Sequence, residues 1–175
     1  MRRIAFWNEK GGTCKTTLCV NVAARLAAVP VARYDLALPD APPSQSLLTE
    51  NVLRAAHELV VPVALTYLAL DGCAEVLDSL DRLRAERGRA PEIALVVATL
   101  HRRTQLAGEI LDKLRERFPG TLSRTVLGWS VKVDEAQSHG LTIFEHAPRS
   151  PGAKALAAIA DEILERGEQL RRVGG

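Results

Sequence analysis

The feature that most restricts the fold is the segment Asn8-Glu9-Lys10-Gly11-Gly12-Thr13-Cys14-Lys15-Thr16-Thr17 together with its flanks. Before it stands a short apolar run, Ile4-Ala5-Phe6-Trp7. After it comes an Ala- and Leu-rich stretch, Thr16 to Ala28, with Leu18, Val22 and Leu26 spaced i, i+4, i+8. This predicts strand, glycine loop, helix, because the helical stripe needs a buried face and the Gly pair ends the strand. Such a loop suits an anion. Gly11 and Gly12 permit the dihedrals that turn backbone N–H groups inward, and the helix presents its positive end. Lys15 can neutralise phosphate oxygens, and the Thr16 hydroxyl can ligate Mg²⁺. The bland alternative is a glycine turn that merely closes a strand. Strand, loop, Lys-Thr and helix in that order argue against it.

The same alternation continues along the chain. Tyr34 to Leu38 reads as a strand ending in Pro39-Asp40-Ala41-Pro42-Pro43, and Leu47 to Ala56 as a helix. Leu59 to Leu65 reads as a strand interrupted by Pro62. Cys73, Leu77, Leu80 and Leu83 mark a helix that ends near Gly88. Ile93 to Ala98 is an unbroken apolar run, as expected for a strand covered on both faces. Leu106, Ile110, Leu111, Leu114 and Phe118 stripe a helix that stops at Pro119-Gly120. Thr125-Val126-Leu127 reads as a short strand, and Leu156, Ile159, Ala160 and Ile163 stripe a C-terminal helix from Lys154 to Leu170. With 175 residues, 47% of them hydrophobic, the chain is expected to form one α/β domain over 1–175 with a mainly parallel sheet.

Composition excludes several classes. The formal charge of +2 rules out a polyelectrolyte tail, though not a local basic patch. Cys14, Cys19 and Cys73 lack metal-type spacing, and Cys19 and Cys73 read as small core residues. His57, His101, His139 and His146 are well separated and read as structural. Trp7 reads as core, Trp129 as a loop residue. No signal peptide and no apolar run of membrane-spanning length is visible, so the expected compartment is a reducing cytoplasm.

The glycine loop is not the standard G-x-x-x-x-G-K-[ST], since Glu9 and Cys14 occupy its two Gly positions. A Lys directly before the Gly pair is the mark of the deviant Walker A loop, and here the sequence resembles the ParA/Soj/MinD family of ATPases, closest to ParA and Soj. The likeness continues through Asp40-Ala41-Pro42-Pro43-Ser44, which looks like the family's Walker B end, and through Leu47-Leu48-Thr49-Glu50-Asn51 and Val61-Pro62-Val63. Val131-Lys132-Val133-Asp134-Glu135-Ala136, Ser138-His139-Gly140 and Pro148-Arg149-Ser150 follow in order.

The resemblance implies a three-layer P-loop fold that binds ATP or ADP with Mg²⁺. Lys10, Gly11, Gly12, Thr13, Cys14, Lys15, Thr16 and Thr17 would hold the nucleotide. Thr16 and Asp40 would serve the metal, and Lys10, Lys15 and Asp40 catalysis. Lys10 would reach the nucleotide of a second subunit, so that ATP is sandwiched in a homodimer. Cys14, standing where the family has Gly, is expected to strain the loop or narrow the phosphate pocket. Asp35 is expected to be a solvated turn residue.

One family element is missing. Between Ala28 and Tyr34 stand only Val29-Pro30-Val31-Ala32-Arg33. Five residues reach about 16–18 Å, enough to cross to a neighbouring parallel strand but not to hold the second strand and the switch loop with its D-x-D-P-Q-type motif. The Walker B strand is then expected beside the first strand and at a sheet edge, where Pro39 is tolerated. Nucleotide binding is expected to survive this loss better than hydrolysis.

Relatives also bind DNA nonspecifically. Candidates are Lys132, Arg102, Arg103, Arg149 and Arg124, acting collectively and salt-sensitively, although any one of them reads more simply as a solvated residue. The family's P-R-N pattern is Gly128-Trp129-Ser130 here. The implied role is plasmid or chromosome partition with a ParB-type partner, at the nucleoid if DNA is bound. The alternatives are a hydrolysis-deficient relative acting as a DNA-binding or dimerisation scaffold, and a MinD-like membrane-surface ATPase. Against the last, the C-terminal helix lacks bulky aromatics and reads as internally packed.

Overall fold

A computed structural model describes residues 1–27, 36–43 and 46–173. The elements are β1 (Arg2–Phe6), α1 (Lys15–Ala27), β2 (Leu36–Ala37), α2 (Leu47–Ala55), β3 (Glu58–Ala64), α3 (Ala69–Arg87), β4 (Glu92–Thr99), α4 (Gln105–Arg117), α5 (Val131–Ser138), α6 (Ile143–His146) and α7 (Pro151–Val173). The four strands form one sheet in the order β2-β1-β3-β4, and every pair is parallel. The Walker B segment thus lies beside β1 and, among the described residues, at the sheet edge. Tyr34, Asp35, Ser44 and the 29–33 connection lie outside the described residues.

Alternation along the strands builds a layer of helices on each face. Ala5 and Trp7 of the first strand region, Leu59, Val61 and Val63 of β3, and Val96 and Ala98 of β4 pack with α2, α3 and α4. Ile4, Phe6, Val60, Leu95 and Val97 face the other way, into a second core with α1, α5, α6 and α7. This is the expected three-layer arrangement, with Trp7, Cys19 and Cys73 buried as anticipated.

Three details differ from expectation. Pro62 does not interrupt β3, which runs through it as a central strand. Its carbonyl points to the β1 side, where the Asn8 amide donates to it at 2.8 Å. Its donorless nitrogen therefore falls beyond the last β1–β3 pair, Phe6–Val60, where no ladder bond is lost. Pro39, in contrast, does break pairing: β2 stops at Ala37, and contact with β1 resumes only as a bridge between Phe6 and Asp40. The missing Pro39 N–H is the one that would have reached the Ile4 carbonyl.

Third, Thr125–Leu127 is not a regular strand. Residues 121–129 follow β4 through two isolated bridges, Val96–Leu122 and His101–Gly128, and the stretch between bulges away. The buried Glu162 carboxylate of α7 holds that bulge. It accepts from the Arg124 N–H (2.9 Å), the Thr125 N–H (3.1 Å), and the hydroxyls of Ser123 (3.1 Å) and Thr125 (2.7 Å). Four donors satisfy an anion that would otherwise be costly to bury, and they draw the backbone out of register with β4. Helices α5 and α6, which follow the bulge, are too short for apolar periodicity to mark them in the sequence.

Candidate nucleotide-binding site

The loop between β1 and α1 sits at the carboxyl end of the sheet, where open α/β folds place ligands. Asn8 anchors its start, donating to the Pro62 carbonyl and accepting from the Lys10 N–H at 2.9 Å. Gly12 (φ 70°) and Cys14 (φ 62°) both adopt left-handed backbone, so the chain turns tightly into α1 and its first amides face the loop's concavity. Cys14 does so with a side chain, which costs about 1–2 kcal/mol that glycine would not incur. The strain expected at this position is therefore present. Burial and the nearby Asp134 carboxylate raise the Cys14 thiol's pKa, against the opposing pull of the Thr99 hydrogen bond and Lys15.

The Lys15 side chain folds back over the loop and donates to the Lys10 carbonyl at 2.9 Å, an oxygen that the Thr13 hydroxyl also reaches at 3.3 Å. Lys15 is only 7% exposed. Burial lowers its pKa, while Asp40 and Cys14 act in the other direction. A buried ammonium has three donors, and one carbonyl takes one of them. Phosphate oxygens at the loop would accept the rest and supply the charge that burial makes scarce.

Thr16 and Asp40 meet as expected: the Thr16 hydroxyl donates to Asp40 Oδ2 at 2.7 Å. Asp40 is placed by its bridge to Phe6 and by the Ala41 N–H bond to the Phe6 carbonyl (3.2 Å). A hydroxyl and a carboxylate oxygen side by side are hard donors that suit Mg²⁺. Above them opens a cavity of about 1040 Å³ whose wall includes Gly12–Thr17, Asp40, Trp129 and Asp134. Loop amides, buried lysine, oxygen pair and space together fit a magnesium nucleotide.

Lys10 is held within its own subunit. Its ammonium contacts Glu75 of α3 at 3.1 Å, and its stem lies so close to α3 that a Cβ on Gly72 would sit 3.0 Å from Lys10 Cγ. Sequence reading missed Glu75 and Gly72, since nothing local links them to a loop sixty residues earlier. It also missed a brace behind the loop. Gln137 of α5 donates to the Thr17 hydroxyl, and Asn21 accepts from the Ile143 N–H at 2.8 Å. Thr99 donates to the Thr13 carbonyl at 3.3 Å.

The basic candidates divide. Arg102 lies over the Trp129 ring at 4.7 Å, a cation–π contact that brings it to the cavity mouth beside α5, which carries Lys132. Lys132 is paired with Glu135 at 2.7 Å. Arg103 and Arg149 are exposed. Arg124 stands apart, bound to Glu165 of α7 at 2.7 Å. His139 and His146 stack at 5.6 Å, with His146 on Glu135, in keeping with structural roles. Burial pushes the Cys19 and Cys73 thiols up to about 12 and about 11, consistent with inert core residues.

A parallel sheet with a lysine-bearing glycine loop after its first strand, whose helix-start hydroxyl, Thr16, meets the Asp40 carboxylate beyond the adjacent strand, defines a P-loop nucleotide-binding domain. A family model described as an AAA domain matches residues 30–93. The chromosome-partitioning ATPase Soj of Thermus thermophilus is 44% identical over 136 residues, covering 76% of this chain and 54% of that protein. The sporulation initiation inhibitor protein Soj of Bacillus subtilis is 33% identical over 135 residues, covering 77% of this chain and 53% of its own length. The chain thus spans about half the length of the curated relatives it matches. Among solved structures, apo McdA of Cyanothece superposes with a TM-score of 0.79 at 12% identity over 94% of this chain and 99% of that one. The septum site-determining protein MinD of Pyrococcus horikoshii, complexed with Mg-ADP, gives 0.77 at 15% identity over 93% and 95%. The chain is a ParA/Soj/MinD-like P-loop protein.

Proposed function

We propose that this chain binds and hydrolyses Mg–ATP and forms a homodimer around it, acting as a partition ATPase on nonspecific DNA with a ParB-type partner in plasmid or chromosome segregation. One observation carries the reading: the buried Lys15 ammonium and the Thr16 hydroxyl, at the start of α1, face the same cavity as Asp40, which follows β2 beside β1. Lys15 and the loop amides would hold the β- and γ-phosphates. Thr16 would offer its hydroxyl to the metal and Asp40 its carboxylate to the metal's water shell. Bound Mg²⁺ would neutralise charge on the phosphate oxygens. Lys10, released from Glu75, would extend to the partner's nucleotide. Arg102, Arg103, Lys132 and Arg149 would supply the salt-sensitive contacts to DNA.

Calorimetric titration with ATP in saturating Mg²⁺ tests the core of this. Lys15→Ala should weaken binding by about 30- to 150-fold, the equivalent of about 2–3 kcal/mol for charge-assisted bonds to phosphate. Lys10→Ala should still bind nucleotide but stay monomeric in analytical ultracentrifugation. Wild-type binding no tighter than that of Lys15→Ala would refute the reading.

A second reading is a scaffold that binds nucleotide without turning it over. It is favoured by the five residues at 29–33, which leave no D-x-D-P-Q-type motif between Ala28 and Tyr34. Phosphate release with and without DNA separates the two: a DNA-stimulated rate above Lys15→Ala supports the ATPase, and equal rates support the scaffold.

A further inference from the structure

The other end of the sheet carries a second concave site. Between the last turns of α2 and α3 and the start of β4 lies a cavity of about 410 Å³, with Leu53 and Leu83 in its apolar lining and Arg54, Arg87, Arg89 and His57 around it. Among the described residues no carboxylate lines it. This is unusual in a chain whose charges nearly balance and whose arginines elsewhere include many paired ones, such as Arg2 with Glu58, Arg25 with Asp161 and Arg115 with Asp112. Arg54 is paired with Glu50. Among the described residues neither Arg87 nor Arg89 has a carboxylate partner, and Arg89 reaches only the Arg54 carbonyl, at 3.4 Å.

Donors here outnumber acceptors. The Arg3 guanidinium lies 2.7 Å from His57 Nε2, and the Nε atoms of Arg3 and Arg54 are buried without an acceptor. The carboxyl ends of α2 and α3 point to this region and account for some of the positive charge. Each helix end is equivalent to about −0.5 of a charge, so together they offset about one of the two guanidiniums, Arg87 and Arg89, that line the cavity without a carboxylate partner. About one positive charge remains on the lining, and Arg3 adds to it through His57. The field is felt at His57, whose pKa is lowered by burial and then by Arg3 and Arg89, with Glu58 opposing.

We propose that this cavity binds a small organic phosphate, with Arg87 and Arg89 gripping the phosphate and Leu53 and Leu83 receiving the organic body. Forked guanidiniums match phosphate geometry, and the volume falls within the range of small-molecule pockets. A nucleic-acid backbone would call for a basic stripe along the surface, whereas these groups converge on one niche. The site is independent of the P-loop and of any ATPase activity.

The test uses Lys15→Ala, which weakens binding at the P-loop, with adenosine monophosphate and inorganic phosphate as separate probes followed by amide NMR. The expected result is saturable shifts at His57, Gly88 and Ala90 with adenosine monophosphate, at least tenfold weaker with inorganic phosphate. The double variant Arg87→Ser/Arg89→Ser should weaken them at least tenfold. The wild-type protein should show the same shifts, which keeps the test valid if Lys15→Ala is poorly folded. Absence of saturable shifts there, insensitivity to the double substitution, equal response to both probes, or response only to duplex DNA would each overturn the proposal.

Discussion

Replacing Cys14 tests the backbone of the loop directly, because Gly and Ala should reorder there. At an ordinary negative φ, Gly is less stable than Ala by about 0.5–1 kcal/mol, owing to the extra freedom it loses on folding. At φ 62° any residue with a Cβ carries about 1–2 kcal/mol of strain that Gly does not. The two terms oppose, and the strain term is larger. Cys14→Gly should therefore exceed Cys14→Ala by about 0.5–1 kcal/mol. Both variants lack the thiol and its contact with Thr99, so that loss cancels in the comparison. For a chain of this size about 2–4 °C accompanies each kcal/mol, so the pair should differ by about 1–4 °C in thermal melts. Cys14→Gly should also bind ATP at least as tightly as the wild type, since it removes a side chain from the cavity wall. Cys14→Ala equal to or more stable than Cys14→Gly would refute the left-handed geometry, and with it the account of how the loop amides are turned inward.

Glu162→Gln should destabilise the fold by about 2–3 kcal/mol, because an amide group faces four donors that a carboxylate satisfies; chemical denaturation measures this, and amide exchange should localise the loss to 121–129. Acid should loosen α5 and α6. The Glu135 carboxyl is held below its ordinary value by Lys132 and then His146, and that of Glu145 by the Thr142 backbone and hydroxyl. A depressed carboxylate stabilises the fold above its unfolded value, here 4.5, and that contribution is lost as pH falls through the folded value. NMR titration should show the Thr142 and Glu145 amides shifting below pH 4.5, and Glu145→Gln should abolish their response.

Much of this protein is written in short-range pattern. The Ile4–Trp7 run, the Gly11-Gly12 pair and the Leu18, Val22, Leu26 stripe are local signals, and strand, loop and helix formed where they stand. Lys15 and Thr16 stand out in the sequence by their place between a Gly pair and a helical stripe, and Asp40 by the resemblance of its Pro-rich segment to the family's Walker B end. Other features arise only when distant segments meet. Pro62 reads as a strand breaker until the end of β1 shows that no bond was available for it to lose. Thr125–Leu127 reads as a strand until a carboxylate from α7 takes the Arg124 and Thr125 amides, leaving only the Leu127 N–H to bond to β4. Glu75 on Lys10, Gln137 on Thr17 and the gathering of Arg54, Arg87 and Arg89 have no sequence signature, since hydrogen bonds and charge fields act through space. Periodicity records which face of an element is buried; only the packed structure determines which polar groups then find one another.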